Sequence, residues 1–66
     1  MELTINGDRQ QLPDGLTITQ LLLERARTLE GVAVAVDGEI VHRAGWADRT
    51  LTDGQAIELI TALQGG

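Results

Sequence analysis

The chain ends Gln64-Gly65-Gly66, directly after an alternating apolar stretch that runs from Ile57 to Leu63. Two glycines close a chain by chance about 0.5% of the time at average glycine usage, and about 1.5% at this chain's own 8 in 66. A bland reading is a frayed end, because disorder collects at chain termini. A chemical reading explains more. Glycine has no Cβ, so a Gly-Gly tail can thread a narrow channel and accept whatever backbone angles a partner's active site imposes. Three residues past Leu63 reach about 10 Å at full extension, enough to insert the terminal carboxylate into an enzyme while the globular body docks outside. A carboxylate is a poor acyl donor until activated, and a mixed anhydride with the phosphate of ATP is the usual remedy. Attack on the adenylate by a sulfur nucleophile would turn Gly66 into a thiocarboxylate. Gly66 is therefore the candidate working group, and Gly65 its flexible neighbour.

The other chemistry-bearing side chains offer less. His42 stands alone beside Arg43 with no second metal ligand or nucleophile near it in sequence, so a plain loop residue is the expected reading. Asp14, Asp48 and Asp53 fall in turn or loop contexts, where Asp serves local backbone hydrogen bonds. No phosphate loop, metal-ligand spacing or nucleophile motif is present. No metal and no bound cofactor is expected, and the chain should be acted on by enzymes rather than be one.

Composition narrows the partners. Ten acidic residues against five basic give a net charge of −5. Nucleic-acid binding needs clustered Lys or Arg and is disfavoured, whereas a partner with a basic docking surface suits an acidic protein. The chain has no Lys, so it cannot be joined to another protein through its own side-chain amine. Absence of cysteine argues against a secreted, disulfide-stapled domain. The segment Met1 to Gly7 lacks the basic and apolar regions of a secretory leader, and no apolar run is long enough to span a membrane. A cytoplasmic protein is expected. At 66 residues one domain is expected over 1–66, with a flexible tail at 64–66. So short a chain buries only about 60% of its unfolded surface, leaving no room for a deep cleft of about 300 Å³ or more.

The elements that would carry the tail are legible. Met1 to Asn6 alternates with period two and reads as a strand, Asn6-Gly7 as a tight turn, and Arg9 to Leu12 as a polar return strand at an edge. Pro13-Asp14-Gly15 turns the chain again. Thr17 followed by Gln20 is a capping box that starts a helix. Ile18, Leu21, Leu22, Ala26 and Leu29 form its apolar stripe, and Gly31 falls where its C-cap is expected. Val32 to Val36 and Glu39 to Val41 form a second hairpin about Asp37-Gly38. His42 to Thr52 reads as an irregular connection that can hold one helical turn, and Asp53-Gly54 as the turn before a final strand, Ile57 to Leu63. Hairpin, helix, hairpin, loop and strand make an α+β fold with the helix packed on one face of a sheet of about five strands. The last strand must return through the middle, parallel to the first, which is the β-grasp arrangement.

Period two also splits the sheet into faces. If Leu3, Ile5, Val32, Val34, Val36, Ile57 and Leu59 point at the helix, then Thr4, Ala33, Ala35, Ile60 and Ala62 point away. A free sheet face usually carries polar side chains, so Ala33, Ala35, Ile60 and Ala62 suggest a flat docking patch beside Gln64, with ordinary scattered apolar residues as the competing reading. Trp46, the sole aromatic residue, is read as a plug in the core beside the irregular loop, with an exposed interface anchor as the alternative.

The run from Val32 to Val41, then Arg43 and Trp46, then Asp53-Gly54 and the closing Gln64-Gly65-Gly66, resembles the ThiS family of sulfur carriers over essentially the whole chain. The segment from Ile40 through Trp46 and the diglycine end are its most specific parts. The resemblance implies that Gly66 is adenylated, with ATP, by a ThiF-like adenylyltransferase. It implies conversion to a thiocarboxylate with sulfur from a cysteine-derived persulfide, and delivery to thiazole synthase, ThiG, for thiamin. One departure is His42, where the family commonly has Pro, and it touches nothing catalytic. A carrier for another pathway, of the molybdopterin-synthase small-subunit type, stays open. So do a β-grasp interaction module whose tail is idle and a protein-conjugating modifier.

Overall fold

The computed structural model describes residues 1–61. Glu2–Ile5 forms β1 and Asp8–Gln11 forms β2, an antiparallel hairpin with Ile5 opposite Asp8. Its turn, Asn6-Gly7, has φ of 52° and 87°, left-handed values that Asn and Gly adopt at least cost. Val32–Val36 forms β3 and Glu39–Ile40 forms β4, joined by Asp37-Gly38 at φ of 51° and 83°. The last strand, β5 (Ala56–Thr61), enters between the hairpins. It runs parallel to β1, with Ile57 beside Ile5, and antiparallel to β3, with Leu59 opposite Val34. The order β2-β1-β5-β3-β4 is the expected β-grasp sheet, with the final strand at its centre and the polar β2 at an edge.

The helix α1 spans Ile18–Arg25. Its capping box is formed: Thr17 Oγ1 accepts from the Gln20 amide at 3.2 Å and Gln20 Oε1 accepts from the Thr17 amide at 2.9 Å. Ile18, Leu21 and Leu22 are fully buried against the sheet. The helix stops well before Gly31. The amides of Ala26 and Arg27 both donate to the Leu22 carbonyl, at 2.8 and 2.9 Å, and Arg27 takes a left-handed φ of 62° that turns the chain out of the helix. Ala26 and Leu29 still pack on the core. One-sided burial asks only that a side chain reach the core, so the apolar spacing persists where the backbone is no longer helical.

Leu3, Ile5, Leu12, Val34, Val36, Trp46, Leu51 and Ile57 complete the core with the helix residues. The connection between the second hairpin and β5 contains one 3-10 turn, Arg43–Gly45. It is tied along the start of α1: the Ile18 amide donates to the Arg49 carbonyl at 3.1 Å and the Leu51 amide to the Leu16 carbonyl at 2.8 Å. Trp46 is 3% exposed, and its Nε1–H donates to the Val41 carbonyl at 2.8 Å. The indole is the core plug expected from the sequence. Its one polar atom is satisfied locally, which is what makes burial of a Trp tolerable.

Candidate functional site

The element that leads into the candidate C-terminal residues is β5. It is the central strand, flanked by β1 along Ala56 and Ile57 and by β3 along its length as far as Thr61, which lies opposite Val32. Residues 62–66 follow, and Ala62, Gln64, Gly65 and Gly66 lie outside the described residues. A five-residue segment spans at most about 17 Å.

The face of the sheet turned away from α1 carries the apolar residues expected there, with one correction. Ile60 is 56% exposed, and Ala33, its register partner on β3, is exposed beside it. Ala35 is not available as surface: it is 5% exposed. It lies in register between Ile40 of β4 and Glu58 of β5. Directly opposed Cβ atoms are about 5 Å apart, so two longer side chains close over a single methyl. Ala33 escapes because β4 is only two residues long and ends before reaching it.

Ile40, 58% exposed, takes the place that Ala35 vacates. Its role was missed from the sequence, although a signal existed. A two-residue turn at Asp37-Gly38 fixes Ala35 opposite Ile40, which puts Ile40 on the outer face with Ala33 and Ile60.

Where β4 stops, the sheet edge is notched by a groove of about 400 Å³, lined by Leu29, Val32, Ile40, Trp46 and Ile60 with His42 and Arg43 at its polar side. It is an open surface groove and not a deep cleft, formed where a two-residue β4 leaves the N-terminal half of β3 uncovered. Buried Trp46 and half-buried Leu29 and Val32 line its inner side, and the exposed Ile40 and Ile60 join it to the outer patch. Arg43 pairs with Glu30 at 3.3 Å across exposed surface, a contact worth little to stability. His42 is an exposed residue at the start of the 3-10 turn and makes no side-chain cap there. Among the described residues no group of three or more His, Asp or Glu side chains converges, and no helix is long and apolar enough to cross a membrane. The arrangement can hold a protein surface against an apolar face and present whatever follows β5.

Residues 2–66 match the family model described as the ThiS family, a match that runs through the diglycine end. The chain is 32% identical to the sulfur carrier protein ThiS of Escherichia coli over 66 residues, covering all of both chains. It is 36% identical to the ThiS of Thermus thermophilus over 62 residues, covering 94% of this chain and 95% of that one. It is also 32% identical, over its whole length, to 20% of a much longer protein named thiazole synthase in Paramagnetospirillum magneticum. A crystal structure of the thiamine biosynthesis protein ThiS from Geobacter metallireducens is similar at a TM-score of 0.83 and 34% identity, over 100% of each chain.

Proposed function

This chain belongs to the ThiS family, and from that premise we propose that it is a sulfur carrier for thiazole formation in thiamin biosynthesis, with the Gly66 α-carboxylate as the group that carries the sulfur. The observation that supports the reading most is that the family match extends through residue 66, past the central strand to Gly65-Gly66.

The chemistry divides between this chain and its partners. A ThiF-like adenylyltransferase binds ATP and joins the Gly66 carboxylate to AMP, releasing pyrophosphate. The terminal sulfur of a persulfide on a cysteine-desulfurase-type donor attacks the activated carbonyl, and AMP leaves. A thiol then cleaves the resulting acyl disulfide and frees the thiocarboxylate, which gives its sulfur to thiazole synthase. This chain supplies no acid, base or metal to these steps. It contributes a terminal glycine with no side chain to obstruct a narrow active site and a docking face made of Ile60, Ala33 and Ile40, with Ala62 and Gln64 proposed as further partner contacts from the sequence alone. Thiazole synthase is favoured as the acceptor because a protein of that name contains a segment like this whole chain. The setting is the cytoplasm, and no cofactor stays bound to the carrier.

The test is the intact mass of the protein after incubation with a ThiF-type enzyme, ATP and a persulfide source. Exchange of one oxygen for sulfur, placed on Gly66 by fragment ions, is the expected result. An unchanged mass would leave the second reading, a β-grasp binding module, which the exposed Ile60 and Ile40 support.

A further inference from the structure

We propose that Asn6 is a positioning residue for the C-terminal tail, its side-chain amide acting as one more rung of β1 and holding Leu59 where the backbone of β1 no longer reaches. The proposal rests on the carrier reading above. The Thr4 amide donates to the Gln55 carbonyl at 3.1 Å and the Asn6 amide to the Ile57 carbonyl at 2.9 Å. Odd-numbered residues of β5 therefore turn their polar backbone groups toward β1, and the alternation of a strand puts those of Leu59 on the same side. Continuing the ladder would need the Asn6 carbonyl to accept from the Leu59 amide and a residue two beyond Asn6 to donate to the Leu59 carbonyl. The chain instead reverses there, through φ of 52° at Asn6 and 87° at Gly7, into β2.

The side chain of Asn6 fills the missing rung. Its Oδ1 accepts from the Leu59 amide at 2.9 Å and its Nδ2 donates to the Leu59 carbonyl at 3.3 Å. On the opposite edge Leu59 faces Val34, whose carbonyl accepts from the Val41 amide at 2.9 Å, so the polar groups of Val34 turn toward β4. Among the described residues, the backbone of Leu59 is held through Asn6.

The second hairpin shows why the residue is Asn. Asp37 grips the other end of β5: its own amide donates to the Ala56 carbonyl at 2.7 Å and its Oδ1 accepts from the Ala56 amide at 2.8 Å. An acceptor suffices there because the backbone of Asp37 supplies the donor. The amide of Asn6 is already committed to Ile57, so its side chain must both donate and accept, which Asn does and ionised Asp cannot. Asn-Gly and Asp-Gly serve equally well as turns. The grip on Leu59 is what separates them.

Leu59 directly precedes the exposed Ile60 of the docking face, at the root of the tail. Docking of the body sets KM for activation. Seating of the terminal carboxylate sets kcat, where a misplacement of about 1 Å costs on the order of 10²-fold. Asn6→Gly keeps the left-handed turn and removes both side-chain bonds. It is expected to lower kcat for adenylation about tenfold with KM unchanged, and to speed amide hydrogen exchange at Leu59 while amides elsewhere in the sheet hold their rates. Asn6→Asp, which keeps the turn and the acceptor alone, should fall between Gly and wild type in both readouts. An unchanged kcat in Asn6→Gly overturns the proposal. So does a loss of activity accompanied by faster exchange throughout the sheet, which would make Asn6 merely structural. Wild-type protein that forms no acyl adenylate instead defeats the carrier reading, and the positioning role falls with it.

Discussion

Ile60 and Trp46 are both large apolar residues near the notch in the sheet edge, and their environments assign them opposite tasks. Ile60 is 56% exposed on the free face of the sheet. Ile60→Asp should leave the melting temperature essentially unchanged and raise KM for the activating enzyme about tenfold, the scale of one interface anchor of 1–2 kcal/mol. Unchanged adenylation kinetics would remove the docking face from the mechanism. Trp46 is buried with its indole nitrogen bonded to Val41. Trp46→Ala should cost about 3–5 kcal/mol in urea unfolding, much of the stability available to a domain this small. Exposure at this scale was only partly legible. The sequence places Ala33, Ala35 and Ile60 on one face, yet Ala35 is covered and Ile40 is not, because accessibility depends on the lengths of neighbouring side chains on adjacent strands.

At the scale of elements, turns and caps were the most readable features because their chemistry is local. Asn6-Gly7, Asp37-Gly38 and the Thr17–Gln20 capping box all stand where their residue types put them. The end of α1 was not readable. The apolar spacing continues through Ala26 and Leu29, while the helix ends at Arg25 and Arg27 carries the left-handed turn. A β-carbon in that region is disfavoured by about 1–2 kcal/mol, and glycine is the usual occupant. Arg27→Gly should therefore stabilise the domain, by about 1 kcal/mol once glycine's larger unfolded-state entropy is counted, shown by a higher urea midpoint at an unchanged slope. A loss of stability would mean that the Arg27 side chain contributes packing that outweighs its backbone strain.

Across the whole molecule the fold builds a sheet with an apolar outer face, and residues 62–66 follow its central strand in sequence. One residue added after Gly66 should abolish thiocarboxylate formation while the melting temperature stays the same, and a fully active extended protein would show that the terminal carboxylate is not the working group. The sequence alone determined the strands, the turns, the start of the helix, the β-grasp order and the candidacy of Gly66, because alternation, capping and glycine's freedom act over a few neighbouring residues. Only the tertiary structure decided where the helix stops, which alanine is covered, how Ile40 joins Ile60, and that the Asn6 side chain reaches Leu59 from a hairpin at the other end of the chain. Most of these outcomes rest on contacts between residues far apart in sequence, which meet only where β5 lies between the two hairpins.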